Sequence, residues 1–293
     1  MIPAITGDKD FIHQIKHSKI NGFVHSTFNR TFNFQCIENG ELYTIACSEM
    51  DNGPNSLVIE VDSFEKMNIE INDNVWTENN RIFISNKMVI KMVNVRQWES
   101  ILPKYPTDNK TLKINLAKMK NYIEMHGKSG GMKQNSSSQK TFDSEVSRML
   151  NERTNLLIKE LQNNQMLKAL QHAISLIGLG PGLTPSGDDF LVGLFTILKM
   201  KNSPCSSYQS FCEEVVKIAK TLTNDISYMA LKKASVGKVR ESIILLIDHL
   251  INGNEEELLL SLNKVLKIGS SSGTDIALGL IAGIEINLKD GGK

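Results

Sequence analysis

The residues best suited to chemistry lie in two short stretches that share one pattern. Ser186-Gly187-Asp188-Asp189-Phe190-Leu191-Val192-Gly193-Leu194 aligns without gaps on Ser272-Gly273-Thr274-Asp275-Ile276-Ala277-Leu278-Gly279-Leu280. Each copy carries Ser-Gly-x-Asp, three apolar residues and then Gly-Leu. Ser-x-x-Asp is the form of a capping box, in which serine and acid satisfy orphan N–H groups at a helix start. That is ordinary helix punctuation and carries no function by itself.

Three features go beyond punctuation. Residues 190–200 and 276–286 are apolar nearly all round, as helices inside a core are. Each helix has glycine in its middle (Gly193; Gly279 and Gly283), which costs about 1 kcal/mol against alanine and calls for close helix–helix approach. The lead-ins are also richer than a cap needs. Gly-Leu-Gly-Pro-Gly-Leu-Thr-Pro precedes Ser186, and Gly269-Ser270-Ser271 precedes Ser272.

Glycine and hydroxyl residues ahead of a helix start offer N–H and O–H donors at the positive end of the helix dipole. The pattern therefore predicts two buried helices that bring their N-termini together around a small anion, phosphate or carboxylate. The expected donors are Gly180, Gly182, Thr184, Ser186 and Gly187 in one copy, and Ser270, Ser271, Ser272, Gly273 and Thr274 in the other. Asp188, Asp189 and Asp275 would repel an anion unless they cap, orient, or hold a divalent metal such as Mg2+. Compensating cations could come from Lys232, Lys233, Lys238 or Arg240, of which Lys238 is the candidate ligand contact; a solvated basic face is the plainer reading of each. No Gly-Lys-Ser/Thr follows the glycines, so this is not a P-loop. The chain has no His-Glu-x-x-His, paired Cys/His set or Gly-x-Ser-x-Gly elbow, which leaves zinc and serine hydrolase chemistry without support. His25 and His172 are lone histidines with structural readings at least as good as catalytic ones.

The elements that must position these residues can be read from periodicity. The first hundred residues contain six or so short segments rich in β-branched and aromatic residues, such as "TFNFQCI", "SLVIEVD" and "MVIKMVNV", separated by Asn-Gly and Asp-Asn turn signals. An α+β protein follows, with a small antiparallel β-barrel or sandwich over 1–105. Residues 106–142 read as one helix and then "HGKSGGMKQNSSSQK", a polar Gly/Ser-rich stretch taken as linker or lid, with the inert linker preferred. From 143 to 293 the apolar spacing is helical. One or two helices lead to Gly178, and others are expected near 208–222, 224–235, 240–251 and 255–266. Asn224 is the expected N-cap of one of them, and "NGNEEE" breaks two others apart.

Bulk properties narrow the function classes. With 33 Lys+Arg against 32 Asp+Glu, the net charge of +1 gives no footprint for nucleic acid. No run of about 18 apolar residues exists to span a membrane. The start, "MIPAITGDKD", has no signal-peptide pattern, and the four cysteines show no C-x-x-C pairing, so the cytoplasm is the expected compartment.

"GLGPGLTPSGDDFLVGLF", together with "IGSSSGTDIALGL", "VHSTFNRTFNF" and "NGPNSLVI", resembles the AllH-like family over most of the chain. The first motif is the specific one. The resemblance implies a subunit of an oxamate carbamoyltransferase of purine (allantoin) catabolism, acting beside AllF (FdrA-like) and AllG subunits. Such an enzyme converts carbamoyl phosphate and oxamate into oxalurate and phosphate. Family members often carry histidine where this chain has Ser270, so no imidazole role is carried over to that point. Both substrates are small anions, which suits a donor-rich pair of helix starts. Ser186, Asp188, Asp189 and Asp275 are then the candidates for chemistry. The alternative is a non-catalytic or regulatory subunit that binds a small anionic metabolite or nucleotide.

Overall fold

The computed structural model describes residues 1–133, 141–205 and 208–290. It divides into two compact units, Met1–Ser100 and Ile101–Lys293.

The first unit holds nine strands and one helix: β1 (Ile2–Asp8), α1 (Lys9–His17), β2 (Asn21–Thr27), β3 (Thr31–Cys36), β4 (Leu42–Ala46), β5 (Ser56–Ile59), β6 (Asn74–Glu78), β7 (Arg81–Ile84), β8 (Met88–Lys91) and β9 (Arg96–Trp98). Eight of them close into a barrel in the order β5-β4-β3-β2-β6-β7-β8-β1, with β1 pairing back onto β5, and β9 extends the sheet along β1. Closure removes the free sheet edges that would otherwise template aggregation. The barrel is mixed rather than purely antiparallel: β4 runs parallel to β5, and β1 parallel to β8 and β9. A long connection between β4 and β5 (47–55) makes the parallel step possible. Alternation then fills the interior, with Phe32, Phe34, Tyr43, Ile45, Leu57, Ile59, Ile82 and Ile84 in one core. Phe11, Ile12 and Ile15 of α1 join it. The β6–β7 hairpin turns on Asn79 and Asn80, both at positive φ (49° and 55°), the conformation a two-residue turn of right-handed twist demands.

The second unit is helical: α2 (Lys110–His126), α3 (Thr141–Gln162), α4 (Met166–Leu176), α5 (Ser186–Leu198), α6 (Gln209–Ala219), α7 (Asp225–Ala234), α8 (Glu241–Asn252), α9 (Glu255–Leu266) and α10 (Ser272–Asp290). Asn224 caps α7 as its sequence position suggested, accepting from the Ile226 and Ser227 N–H groups. Asn254 and Glu257 form a full capping box on α9. Every residue of α5 is buried. It lies against α10, which runs beside it in the same direction, since Gly193 meets Gly279 and Ile197 meets Gly283. The glycines are what allow this. A methyl group added at Gly193 would stand 2.1 Å from the Ile276 carbonyl oxygen, and one at Gly279 2.0 Å from that of Phe190. Backbone therefore packs on backbone at the crossing. Among the described residues no helix is long and apolar enough to cross a membrane.

Candidate functional site

Because α5 and α10 run in parallel, their N-termini emerge at the same end, and the two Ser-Gly-x-Asp copies come together there. They do not form the capping boxes their sequences predict. Each helix begins one residue earlier than the pattern implies. Pro185 is the N-cap of α5, with no side-chain cap bond, and its carbonyl accepts from the Asp188 and Asp189 N–H groups. Ser271 stands in the same place on α10, and its carbonyl accepts from Thr274 and Asp275. The repeated serine is thus the first helical residue, and serine and aspartate reach across to the other helix. Ser186 lies beside Asp275, and Ser272, hydrogen-bonded to Thr184 at 2.8 Å, lies beside Asp189.

The repetition extends backwards into the loops. Gly187 donates its N–H to Leu179 O and Gly273 donates to Ile268 O, each closing a helix start onto the preceding turn. A side chain at either would strike the backbone of the helix before it, 2.0 Å from Leu176 O or 1.9 Å from Val265 O. These glycines serve packing. The N–H groups of Gly187, Asp188, Asp189, Gly273, Thr274 and Asp275 are all spent inside the protein.

The two carboxyls face each other one turn before the crossing glycines. Burial pushes Asp189 up to about 7; the Ser272 and Thr184 hydroxyls pull it down, and the neighbouring charges of Asp275 and Asp188 push it up further. Burial pushes Asp275 to about 6 against the opposing effect of the Met132 N–H and the Ser186 and Ser271 hydroxyls. Asp189 Oδ2, Asp275 Oδ2 and Ser186 Oγ are buried without any hydrogen-bond partner. Unsatisfied buried polar atoms cost about 1–3 kcal/mol each, so three on these two helix starts call for an explanation.

Other candidates are placed differently. Asp188 turns away from the pair: its carboxylate accepts from Gly178 N–H at 2.9 Å and from the Thr223 hydroxyl, and burial raises its pKa against both. Its work is to tie the glycine loop to the segment before α7. Gly178, Gly180 and Gly182 take positive φ (73°, 120° and 97°), and Gly180 packs on Ser186. Gly182 and Ser270 are exposed on the rim. Thr274 accepts from the Lys128 N–H at 2.8 Å. Gly237, next to Lys238, packs on Lys199 just past the C-terminus of α5. That is about 20 Å along the helix from Ser186, and it removes Lys238 from the neighbourhood of the paired serines.

Sequence reasoning missed the strap that follows α2. The stretch preferred as an inert linker is, over residues 127–133, bonded directly onto the site; 134–140 lie outside the described residues. Met132 N–H donates to Asp275 Oδ1 at 2.8 Å, and Lys128 Nζ donates to Gly269 O at 2.8 Å. The Gly131 carbonyl accepts from Ser147 Oγ of α3, and the Met132 carbonyl from Asn151 Nδ2. Lys133 Nζ closes the C-terminus of α2 on Ile123 O and Gly127 O. Gly131 lies so close to the cluster that a methyl group there would stand 2.3 Å from Asp275 Oδ2 and 2.6 Å from Ser186 Oγ. The adjacent glycines were its only trace in the sequence.

Comparison with known families separates along the same lines as the fold. Residues 3–97, the barrel, match the AllH family N-terminal domain, and residues 176–284, from the end of α4 into α10, match oxamate carbamoyltransferase subunit AllH. The chain belongs to the AllH family. AllH is described as one subunit of a carbamoyltransferase, so its members are parts of a multi-subunit transferase. Both halves of the Ser-Gly-x-Asp pair fall inside the AllH match, whereas the strap at 127–133 lies between the two matched regions. No solved structure matches this AllH chain.

Proposed function

We propose that this AllH-family chain contributes the substrate site of an oxamate carbamoyltransferase-like enzyme, built where α5 and α10 begin. The observation that carries this is the set of three partnerless buried oxygens on the paired helix starts, on Asp189, Asp275 and Ser186, with the Thr184 and Ser272 hydroxyls beside Asp189 and that of Ser271 beside Asp275. Such a site holds small oxyanions by hydroxyl donors and two helix dipoles. The oxamate nitrogen bonds to the carbamoyl carbon, and the carbon–oxygen bond to phosphate breaks. The proton lost by nitrogen leaves on the departing phosphate. Fixed hydroxyls stabilise the charge that develops on the carbamoyl oxygen. AllF-like and AllG-like subunits complete the enzyme in this reading.

The test is carbamoyl transfer to oxamate by the assembled enzyme carrying Ser186→Ala or Ser272→Ala. Loss of a positioned donor should lower kcat on the order of 10²-fold. Unchanged rates in both variants would remove the site from the reaction.

A further inference from the structure

The proposed substrate site poses an electrostatic problem: its centre is acidic, and its substrates are anions. Asp189 and Asp275 are 6% and 0% exposed, and each has an oxygen without a partner. Among the described residues no ion pair reaches either carboxylate. Ser186, 0% exposed, carries a third partnerless oxygen, and its Oγ and Asp275 Oδ2 lie 2.6 and 2.3 Å from the point where a Cβ at Gly131 would stand. The N–H groups of Gly187, Asp188, Asp189, Gly273, Thr274 and Asp275 are bonded within the protein and do not face an incoming phosphate.

We propose that the paired helix starts bind one divalent cation of the Mg2+ class, held by Asp189, Asp275 and Ser186, and that this cation receives the substrate phosphate. The ligand set is all oxygen, which selects a hard cation. Among the described residues no group of three or more His, Cys, Asp or Glu side chains gathers, so neither a zinc cage nor a carboxylate-rich calcium site is formed. A magnesium site needs less from the protein. It is bound through one or two carboxylates, keeps several waters, and takes its remaining oxygens from a substrate phosphate. Gly131 fits this use. Asp275 Oδ2, Asp275 Oδ1 and Ser186 Oγ crowd a point 2.3, 2.6 and 2.6 Å away where any side chain at 131 would begin, and glycine keeps that face clear. The cation neutralises the two carboxylates and leaves open coordination positions for phosphate oxygens. The inference rests on the proposed substrate site for the phosphate, and on the partnerless oxygens alone for the cation.

Mn2+ titration of the full-length chain, with free Mn2+ read by electron paramagnetic resonance, tests it apart from turnover. One saturable site per chain is expected, tightened by inorganic phosphate. It should weaken at least about tenfold in Asp189→Asn and Asp275→Asn, and several-fold in Ser186→Ala, which removes an oxygen without changing charge. Circular dichroism of each variant checks that the helices are intact. No saturable binding by the wild-type chain, with or without phosphate, overturns the proposal, as does equal affinity in the variants. If Mn2+ does not bind but Ser186→Ala and Ser272→Ala still lower transfer on the order of 10²-fold, the cation alone fails. If Mn2+ binds as expected while transfer is untouched in those variants, the substrate reading alone fails.

Discussion

Replacing Asp189 with asparagine should stabilise the metal-free protein at alkaline pH. In the folded chain Asp189 holds its proton up to about 7, because burial penalises the carboxylate; in the unfolded chain an aspartate loses it near about 3.9. Between those values the unfolded state sheds a proton that the folded state keeps, so stability falls as pH rises. Working this through at about 1.4 kcal/mol per pH unit gives a cost of about 1 kcal/mol at pH 4.5 and about 4 kcal/mol at pH 8. Asparagine has the same shape and no charge to bury, so the variant escapes the loss. The pH dependence of the other groups cancels in the comparison, apart from Asp275, whose own carboxyl is relieved of a neighbouring charge. The assay is urea unfolding of both proteins in EDTA, followed by far-ultraviolet circular dichroism, at pH 4.5 and 8. Asp189→Asn should gain over wild type at pH 8, by about 2–4 kcal/mol once relaxation around the charge is allowed for, and by much less at pH 4.5. A variant less stable than wild type at pH 8, or an advantage equal at both pH values, refutes the reasoning. A gain in stability with loss of transfer would be the usual signature of a residue kept for function.

Further outcomes follow from the packing. Gly193→Ala or Gly279→Ala forces a methyl group to within 2.1 or 2.0 Å of backbone on the facing helix, and each should cost about 3 kcal/mol of stability in denaturant titrations. Gly131→Ala meets side-chain oxygens instead; the strap should lift, seen as faster amide exchange at Met132, while the fold loses little. Asn254→Ala removes the capping box of α9 and should cost about 1 kcal/mol, with transfer by the assembled enzyme unchanged.

The two-part architecture was legible because burial imposes different periods on strands and helices. The helices α6 to α9 fall close to where their apolar spacing put them, and the expected cap at Asn224 acts through neighbours three or fewer residues away. Mid-helix glycines announced a close approach, since only contact offsets their cost. The choice between barrel and sandwich, and the parallel steps, were not legible. Both depend on which strands meet, and β1 finds β5, β8 and β9 far along the chain.

The sequence by itself determined that two like segments start buried helices with a serine and an aspartate in register. It could not determine what those side chains touch. The local pattern gives each serine and aspartate a partner on its own helix, and a capping box is the cheapest use of them. Only the tertiary structure decided otherwise. Backbone contact at Gly193 and Gly279 sets the helices side by side in one direction, so Ser186 lies beside Asp275 and Ser272 beside Asp189. The strap at 127–133 shows the same limit. Its bonds to Thr274 and Asp275 span more than a hundred residues, and nothing in a Gly/Ser-rich stretch encodes a partner at that separation.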